Sequence, residues 1–464
     1  MKQITISPIN QQPYVERSYL TTDEINEAVE RSKTAFLGWK KTPLAERIQI
    51  VERFIQILGS QKDEIAKELA LQMGRPVKFG GGEINGTIER AAYMASIAEE
   101  SLKDIEFMDT SKPSFKRFIR REPLGVVLII AAWNYPYLVA VNGVIPALLA
   151  GNTVILKHSP HTPLCAERFL SCFQQAGLPD GVLQIFHITN EDTELLIQHP
   201  AVAHVNFTGS VATGQKVQRA ASSKFMGVGL ELGGKDPAYV LSDCDIDYTV
   251  EQLVDGSFFN SGQSCCAIER IYVHENVYNE FIEKFVALAK TYKLGDPLDP
   301  TTTLGPMVRT SIAENVREHI RDAVAKGAEA LIDIEKLYPQ DRPGTTYVAP
   351  QVLVNVNHNM KVMSEETFGP VVGIMKVSTD DEAIKLMNDS PYGLTASIWT
   401  RDEENALRIA EQLDTGTCFM NRCDYLDPCL AWVGVKNSGR GCTLSKLGYE
   451  SLTRPKSYHF KIIS

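Results

Sequence analysis

Two residues of this 464-residue chain stand out for the chemistry they could do: Cys265, in Gly262-Gln263-Ser264-Cys265, and Glu231, in Glu231-Leu232-Gly233-Gly234-Lys235. A thiolate is the attacking form of cysteine, and an acyl group left on its sulfur needs an activated water to leave. A carboxylate base complements such a nucleophile. The pair therefore describes a thioester that is made and then hydrolysed. Either residue by itself reads differently, because an isolated cysteine is most often a small buried hydrophobe and an isolated glutamate a solvated surface charge.

A third group bears on phosphate. Phe207-Thr208-Gly209-Ser210, followed by Gly214, sits between a strand and a helix, where glycines let a phosphate approach the backbone. The spacing is not G-x-G-x-x-G, and an ordinary strand-to-helix turn fits it as well. Lys157 strengthens the nucleotide reading, since it ends the preceding parallel strand, where ligands gather in open α/β sheets. His158 and His161 lie three apart in a loop, and nothing places either beside Cys265, so a cysteine–histidine hydrolase lacks its second residue. The nine cysteines include no C-x-x-C pair, which indicates neither a disulfide framework nor a zinc ribbon, and no metal site is expected.

These residues must be held by a sheet. The stretch Leu124 to Leu156 is apolar enough to suggest a membrane span, but Asn134, Pro136, Asn142, Pro146, Gly151 and Asn152 interrupt it. It reads better as a buried βαβ unit: a strand from Gly125 to Ala132, a helix from Pro136 to about Ala150, and a strand from Thr153 to Lys157. The rhythm repeats with a helix from Pro163 to Gly177, a strand Leu183 to His187, a polar helix, and a strand Val202 to Phe207. Such alternation means a parallel sheet. Beyond Ala238 it continues with helices near Ile246 to Phe259, Val277 to Tyr292, Arg309 to Lys326, Thr379 to Asn388 and Glu403 to Leu413, the mark of a second α/β domain.

The length exceeds one ordinary core and calls for two large domains with a small appendage. Lys and Arg number 47 against 57 Asp and Glu, a net charge of −10, which offers no attraction to nucleic acid or anionic membrane. The basic-aromatic run from Asp104 to Glu122 is accordingly read as an exposed, charge-edged hairpin, and Ser457 to Ile463 as a projecting strand of the kind that pairs with a neighbouring subunit. The first residues show no apolar export signal, and the expected location is cytoplasmic.

The string Trp133-Asn134-Tyr135-Pro136, Lys157, Phe207-Thr208-Gly209-Ser210 with Gly214, Glu231-Leu232-Gly233-Gly234-Lys235, Gly262-Gln263-Ser264-Cys265 and Glu366-Thr367-Phe368-Gly369-Pro370 resembles the NAD(P)-dependent aldehyde dehydrogenase superfamily, in order and spacing, over nearly the whole chain. Asn421 with Gly434 to Gly439 resembles its C-terminal signature. The resemblance implies an α/β fold of two doubly wound domains with a small β oligomerisation element. A Rossmann-like cofactor domain would take residues 1–103 and 123–233, a catalytic domain 234–440, and the oligomerisation element 104–122 and 441–464. It implies Cys265 as nucleophile, Asn134 and the Cys265 backbone N–H as oxyanion donors, and Glu231 as the base that activates water. Trp133, Lys157, Gly209, Ser210, Gly214, Glu366 and Phe368 would serve the cofactor, NAD or NADP. A small aldehyde is the implied substrate and a homodimer or homotetramer the implied assembly.

Departures concentrate at the cofactor end. Lys157-His158-Ser159-Pro160 stands where Lys-Pro-Ser-Glu is common, so the acid that would grip an adenosine 2′-hydroxyl is absent and a 2′-phosphate meets no like charge. A protonated His158 would favour that phosphate. The His-containing form is similar to that of succinate-semialdehyde dehydrogenase relatives. Trp432-Val433 replaces the frequent Phe-Gly near the substrate tunnel, and no arginine can be assigned to that tunnel. An acyl-transferring enzyme of the same fold, passing its acyl group to or from CoA or phosphate, would not need Glu231. A non-catalytic structural relative would not need Cys265, Glu231 and Asn134 together.

Overall fold

The computed structural model describes residues 2–107, 112 and 114–463. Its centre is a six-stranded sheet in the order Gly439–Arg440, Gly227–Glu231, Val202–Thr208, Val126–Ala131, Thr153–His158, Leu183–Ile185. All pairings are parallel except the first. Val126–Ala131 is an unbroken apolar run, buried throughout because helices cover both faces of a parallel sheet. Successive strands run outward from it to one side, and the chain then crosses back to Val202–Thr208 on the other. The strand order thus reverses between Val126–Ala131 and Val202–Thr208, and ligands bind at such a switch, outside the carboxyl ends of the strands. Trp133 and Asn134 follow one of these ends; Gly209 and Ser210 follow the other.

The second sheet has seven strands: Glu329–Ala330, Gln351–Val354, Val371–Val377, Ile268–His274, Asp236–Val240, Thr395–Trp399, Thr417–Met420. It is parallel apart from its first, antiparallel edge. Only the corner 232–235 separates the Gly227–Glu231 strand of the first sheet from the Asp236–Val240 strand of the second. The two α/β sheets match the architecture expected from sequence, with observed elements one to three residues shorter than most of the expected ranges, as frayed ends commonly are.

Helix Pro136–Leu149 starts on a proline whose missing N–H costs nothing in the first turn, and it ends before Gly151, at φ 89°. It packs against the 26-residue helix Val77–Leu102, whose inner face carries Glu83 and Arg90. Sequence reasoning left this helix undescribed, as it did the hairpin Lys2–Ile6 with Pro13–Ser18.

The basic-aromatic segment forms strand Phe115–Pro123, which pairs over only two residues with Ile105–Glu106. The turn of the expected 104–122 hairpin falls partly at 108–111 and 113, outside the described residues. Its long partner is Thr453–Lys461 from the C-terminal end, nine pairs in antiparallel register, with Phe118 stacked on Tyr458 at 4.5 Å. The expected C-terminal strand therefore begins four residues earlier than anticipated and pairs within its own chain. Just before it, Leu444, Tyr449 and Leu452 join the core of the first sheet, and the Tyr449 hydroxyl donates to the Met94 carbonyl at 2.6 Å.

Candidate active site

The glycine corner explains why Glu231 and Cys265 share one site. A Cβ on Gly234 would run into the Cys265 carbonyl, and one on Gly233 into the Glu366 carboxylate. Only glycine lets the corner pass between those two segments. Cys265 is held from its own side by a strained turn: Asn260 and Ser261 have φ of 52° and 57°, and Gly262 follows at 67°. Such left-handed non-glycine residues cost on the order of 1–3 kcal/mol and persist where surroundings impose them. Here Asn260 donates to the carbonyls of Asn134 at 3.1 Å and Gln263 at 3.2 Å, and the Ser261 hydroxyl to that of Gly305 at 2.8 Å.

Asn134 sits opposite. Its side-chain amide donates to the Gln263 carbonyl at 3.2 Å, and its own carbonyl accepts from Arg75 at 2.7 Å. Arg75 is fully buried, ion-paired with Glu83 and lies over the Tyr135 ring at 4.4 Å; burial lowers its pKa to about 10. Glu83 also accepts from the Tyr137 backbone N–H at 2.8 Å, pinning the start of the following helix.

Glu231 ends its strand with one oxygen accepting from Thr208 at 3.2 Å and the other from Thr443 at 2.5 Å. Burial raises its pKa, against the effect of these two hydroxyls and of Arg90. A carboxyl raised in this direction is a stronger acceptor for a proton from water. Asp424, on a loop far along the chain, was not found from sequence. One of its oxygens accepts from Ser264 at 2.7 Å and from the Cys266 thiol at 3.0 Å, the two neighbours of Cys265. Burial raises Asp424 to about 6, and a hydrogen bond with Cys265, then burial, pushes the Cys266 thiol well up; Cys265 is the thiol of that pair that lines both cavities.

Cys265, Asn134, Glu231 and Thr208 border two cavities at once. One, of about 460 Å³, lies at the sheet's switch point and is lined by Trp133, Gly209, Ser210, Gly233, Glu366 and Phe368 among others. Trp133 meets Phe368 edge-on at 5.6 Å. Ser210 caps helix Val211–Ala221, accepting from the Thr213 N–H at 3.4 Å. Gly214 lets that helix approach, since a Cβ there would come within 2.5 Å of Leu232. Lys157 ends strand Thr153–His158 without an acidic partner among the described residues, and burial lowers its pKa to about 8. Neither Lys157 nor Gly214 is among the residues that line this cavity. Glu366 accepts from the Gly234 N–H at 3.0 Å, and burial together with Glu269 lifts it to about 8.

His158 corrects an expectation. It is buried, its Nε2 donates to the Pro136 carbonyl at 3.1 Å and its Nδ1 accepts from Thr162 at 3.0 Å. Desolvation drops its pKa to about 4, so it is neutral and turned inward, unable to attract a phosphate by charge. Asn421 is likewise structural, bridging backbone groups of Thr400 at 2.8 and 3.1 Å.

The second cavity, about 450 Å³, runs between helices Val77–Leu102 and Pro136–Leu149 and is closed by Tyr135, Phe259, Tyr425, Leu426 and Trp432. Trp432, whose position left the tunnel in doubt from sequence, is thus a wall of it. Among the described residues no group of three or more His, Cys, Asp or Glu is arranged to hold a metal, and no helix is long and apolar enough to cross a membrane.

A family model described as "Aldehyde dehydrogenase family" matches residues 2–458. The chain is 33% identical over 454 residues to the succinate-semialdehyde dehydrogenase [NADP(+)] 1 of Mycobacterium tuberculosis, covering 98% of each chain. Among solved structures it is similar to the succinic semialdehyde dehydrogenase of Streptococcus pyogenes in complex with NADP+, with TM-score 0.93, 30% identity and coverage of 99% and 100% of the two chains. It also matches the NADP-dependent glyceraldehyde-3-phosphate dehydrogenase of Bacillus halodurans, at TM-score 0.93 and 31% identity over 100% of this chain and 96% of that one.

Proposed function

The chain belongs to the aldehyde dehydrogenase family, and from that premise we propose that it oxidises an aldehyde to its acid with NADP, through an acyl group carried on Cys265 and released by water that Glu231 activates. The observation that carries this reading is the junction of the two cavities, where nucleophile, oxyanion donor and base all face the same space.

The Cys265 thiolate adds to the aldehyde carbon, and the oxygen takes up negative charge. Asn134 Nδ2 and the Cys265 backbone N–H are the donors for that oxyanion; removing one such donor costs about 3–4 kcal/mol of barrier. A neutral amide serves without itself binding the resting thiolate as a counter-ion would. Arg75 and Asn260 fix the Asn134 backbone, so the amide starts aligned. When bound, the nicotinamide supplies the acceptor for the hydride leaving the substrate carbon. The thioester on Cys265 then needs water, from which Glu231 takes the proton as oxygen attacks. Thr208 and Thr443 hold its carboxylate until a water replaces one of them.

The residues of the first cavity suit a dinucleotide. Gly209 lies where a Cβ would strike the Phe207 ring, so backbone and ligand can approach closely, with Ser210 at a helix start and Glu366 and Phe368 across from them. Lys157 would take the adenosine ribose and its phosphate, with no carboxylate between 157 and 162 to oppose a 2′-phosphate. NADP is the cofactor named for the relatives, and succinate semialdehyde the substrate of two of them. We carry both over as the proposal: a carboxylated semialdehyde with NADP.

The same reading assigns the first sheet to cofactor binding, the second to catalysis, and the sheet Phe115–Pro123 with Thr453–Lys461 to assembly of a cytoplasmic homodimer or homotetramer. Exposed Phe460 and Ile463 beside that sheet support an assembly surface. The test is the initial rate of nicotinamide reduction with NAD and NADP separately, over aliphatic, aromatic and carboxylated aldehydes. Turnover fastest with NADP and a carboxylated aldehyde is expected; cofactor binding without turnover of any aldehyde would defeat the assignment.

A further inference from the structure

We propose that Arg90 is the residue that binds the carboxylate of a carboxylated aldehyde in the second cavity. This rests on the aldehyde-oxidising reading above and adds the residue that selects its substrate. Arg90 is 8% exposed and forms no ion pair among the described residues, although an arginine buried to this extent ordinarily has an acid in contact with it. It lines the cavity that Cys265 borders and is the one basic side chain among the described residues doing so.

Its guanidinium is oriented but not consumed. Nη1 donates to the Leu138 carbonyl at 3.2 Å and to Asn142 Oδ1 at 3.1 Å, two acceptors one turn apart on helix Pro136–Leu149. Both are neutral. Nε and Nη2 have no partner among the described residues, and Arg90 lines the cavity. A planar guanidinium held at one nitrogen with two others free matches the two oxygens of a carboxylate. Gly82 and Gly86 share the Arg90 face of their helix, at intervals of four; a Cβ on Gly82 would meet nothing within 4 Å, whereas one on Gly86 would come within 3.1 Å of the Leu138 side chain. Glycine at both positions therefore keeps side chains out of the cavity wall that leads to Arg90. Acids line the cavity too, but Asp424 accepts from the Ser264 and Cys266 side chains, Glu89 accepts from Tyr425 at 3.2 Å, Glu231 is held by two threonines, and Asp255 is solvent-exposed. Burial disfavours the Arg90 charge, Glu231, Cys266, Tyr425 and Glu89 offset that only in part, and an anion entering the cavity would offset more of it.

The experiment compares succinate semialdehyde with butanal, which has the same four carbons and no carboxylate. The wild-type protein should prefer the anion in kcat/KM by at least about tenfold, and Arg90→Gln should reduce that preference by about tenfold to a hundredfold, chiefly through KM. Arg90→Lys should recover part of it. Equal kcat/KM for the two aldehydes in the wild type, or a preference that survives Arg90→Gln, would overturn the proposal while leaving aldehyde oxidation standing. If Arg90→Gln does not fold, inhibition of the wild-type protein decides: butyrate should bind at least about tenfold tighter than butyramide, its neutral counterpart, and equal binding overturns the role of Arg90. No turnover of either aldehyde would overturn the aldehyde-oxidising reading, and this inference with it.

Discussion

The two cavities that meet at Cys265 are built in different ways. The one at the switch point takes much of its wall from the ends of two strands adjacent in the sheet, Trp133 and Asn134 after one, Gly209 and Ser210 after the other, with Gly233 on the corner, and is closed from later in the chain by Arg309, Glu366 and Phe368. The other is made of long side chains delivered from distant places: Arg90 from the helix Val77–Leu102, Tyr135 and Leu138 from the next helix, Asp424, Tyr425 and Trp432 from loops late in the chain. A dinucleotide site can be encoded by local turns, because a parallel sheet already aims its loops at one edge. A substrate pocket must be assembled across the fold, and each wall can change without disturbing the others.

Cys265→Ala strikes both cavities, since that side chain is common to them. Dehydrogenation should fall by at least about 10⁴-fold while NADP still binds, as titration by fluorescence or calorimetry would show. Residual turnover within tenfold of wild type would mean the nucleophile lies elsewhere. Glu231→Gln should lower steady turnover by about 10² to 10⁴-fold. In the wild type the hydrolytic step should rise with pH through a value above the ordinary carboxylate range, because burial raises Glu231, and that limb should vanish in the variant.

Lys157→Met probes the cofactor side by itself. The amine is charged below about 8, so wild-type affinity for NADP should weaken as pH climbs through that value. The substitution should weaken NADP binding by about tenfold or more and remove this pH dependence. Asp424→Asn probes the substrate side and should have the smallest effect on rate, a few-fold in kcat. Its clearer signature is stability. The folded chain holds the Asp424 proton up to about 6 against an unfolded value near 4, so the protonated form is the one folding favours. Stability from this group is present below about pH 4 and is lost as pH rises to about 6, a change on the order of 2–3 kcal/mol. Melting temperatures of wild type and Asp424→Asn across that window should diverge; parallel curves would show that the carboxyl is not strained by burial.

What could be read from the residues follows the same division. Strands such as Val126–Ala131 and the glycine corners were legible because continuous apolar runs and glycines record local requirements. Cys265, Glu231 and Asn134 were legible through the motifs around them, and the structure brings all three to one junction. Arg90, Asp424 and Thr443 were not, because each reaches its partner across a sequence separation of 48 to 212 residues with no local signal at either end. His158 misled for a related reason: a histidine after a strand reads as exposed, and only the carbonyl of Pro136 and hydroxyl of Thr162 reveal that it faces inward. The C-terminal strand was recognisable as a strand, yet its pairing with Phe115–Pro123 over more than three hundred residues was not.

In the proposed reaction Cys265 carries the acyl group and Glu231 releases it. Rapid mixing of Glu231→Gln with NADP and succinate semialdehyde, followed by mass spectrometry of the quenched protein, tests it most directly. A burst of NADPH close to one per active site is expected, then slow turnover, with the succinyl mass on the peptide containing Cys265. Steady turnover equal to wild type, with no burst and no adduct on that peptide, would contradict it.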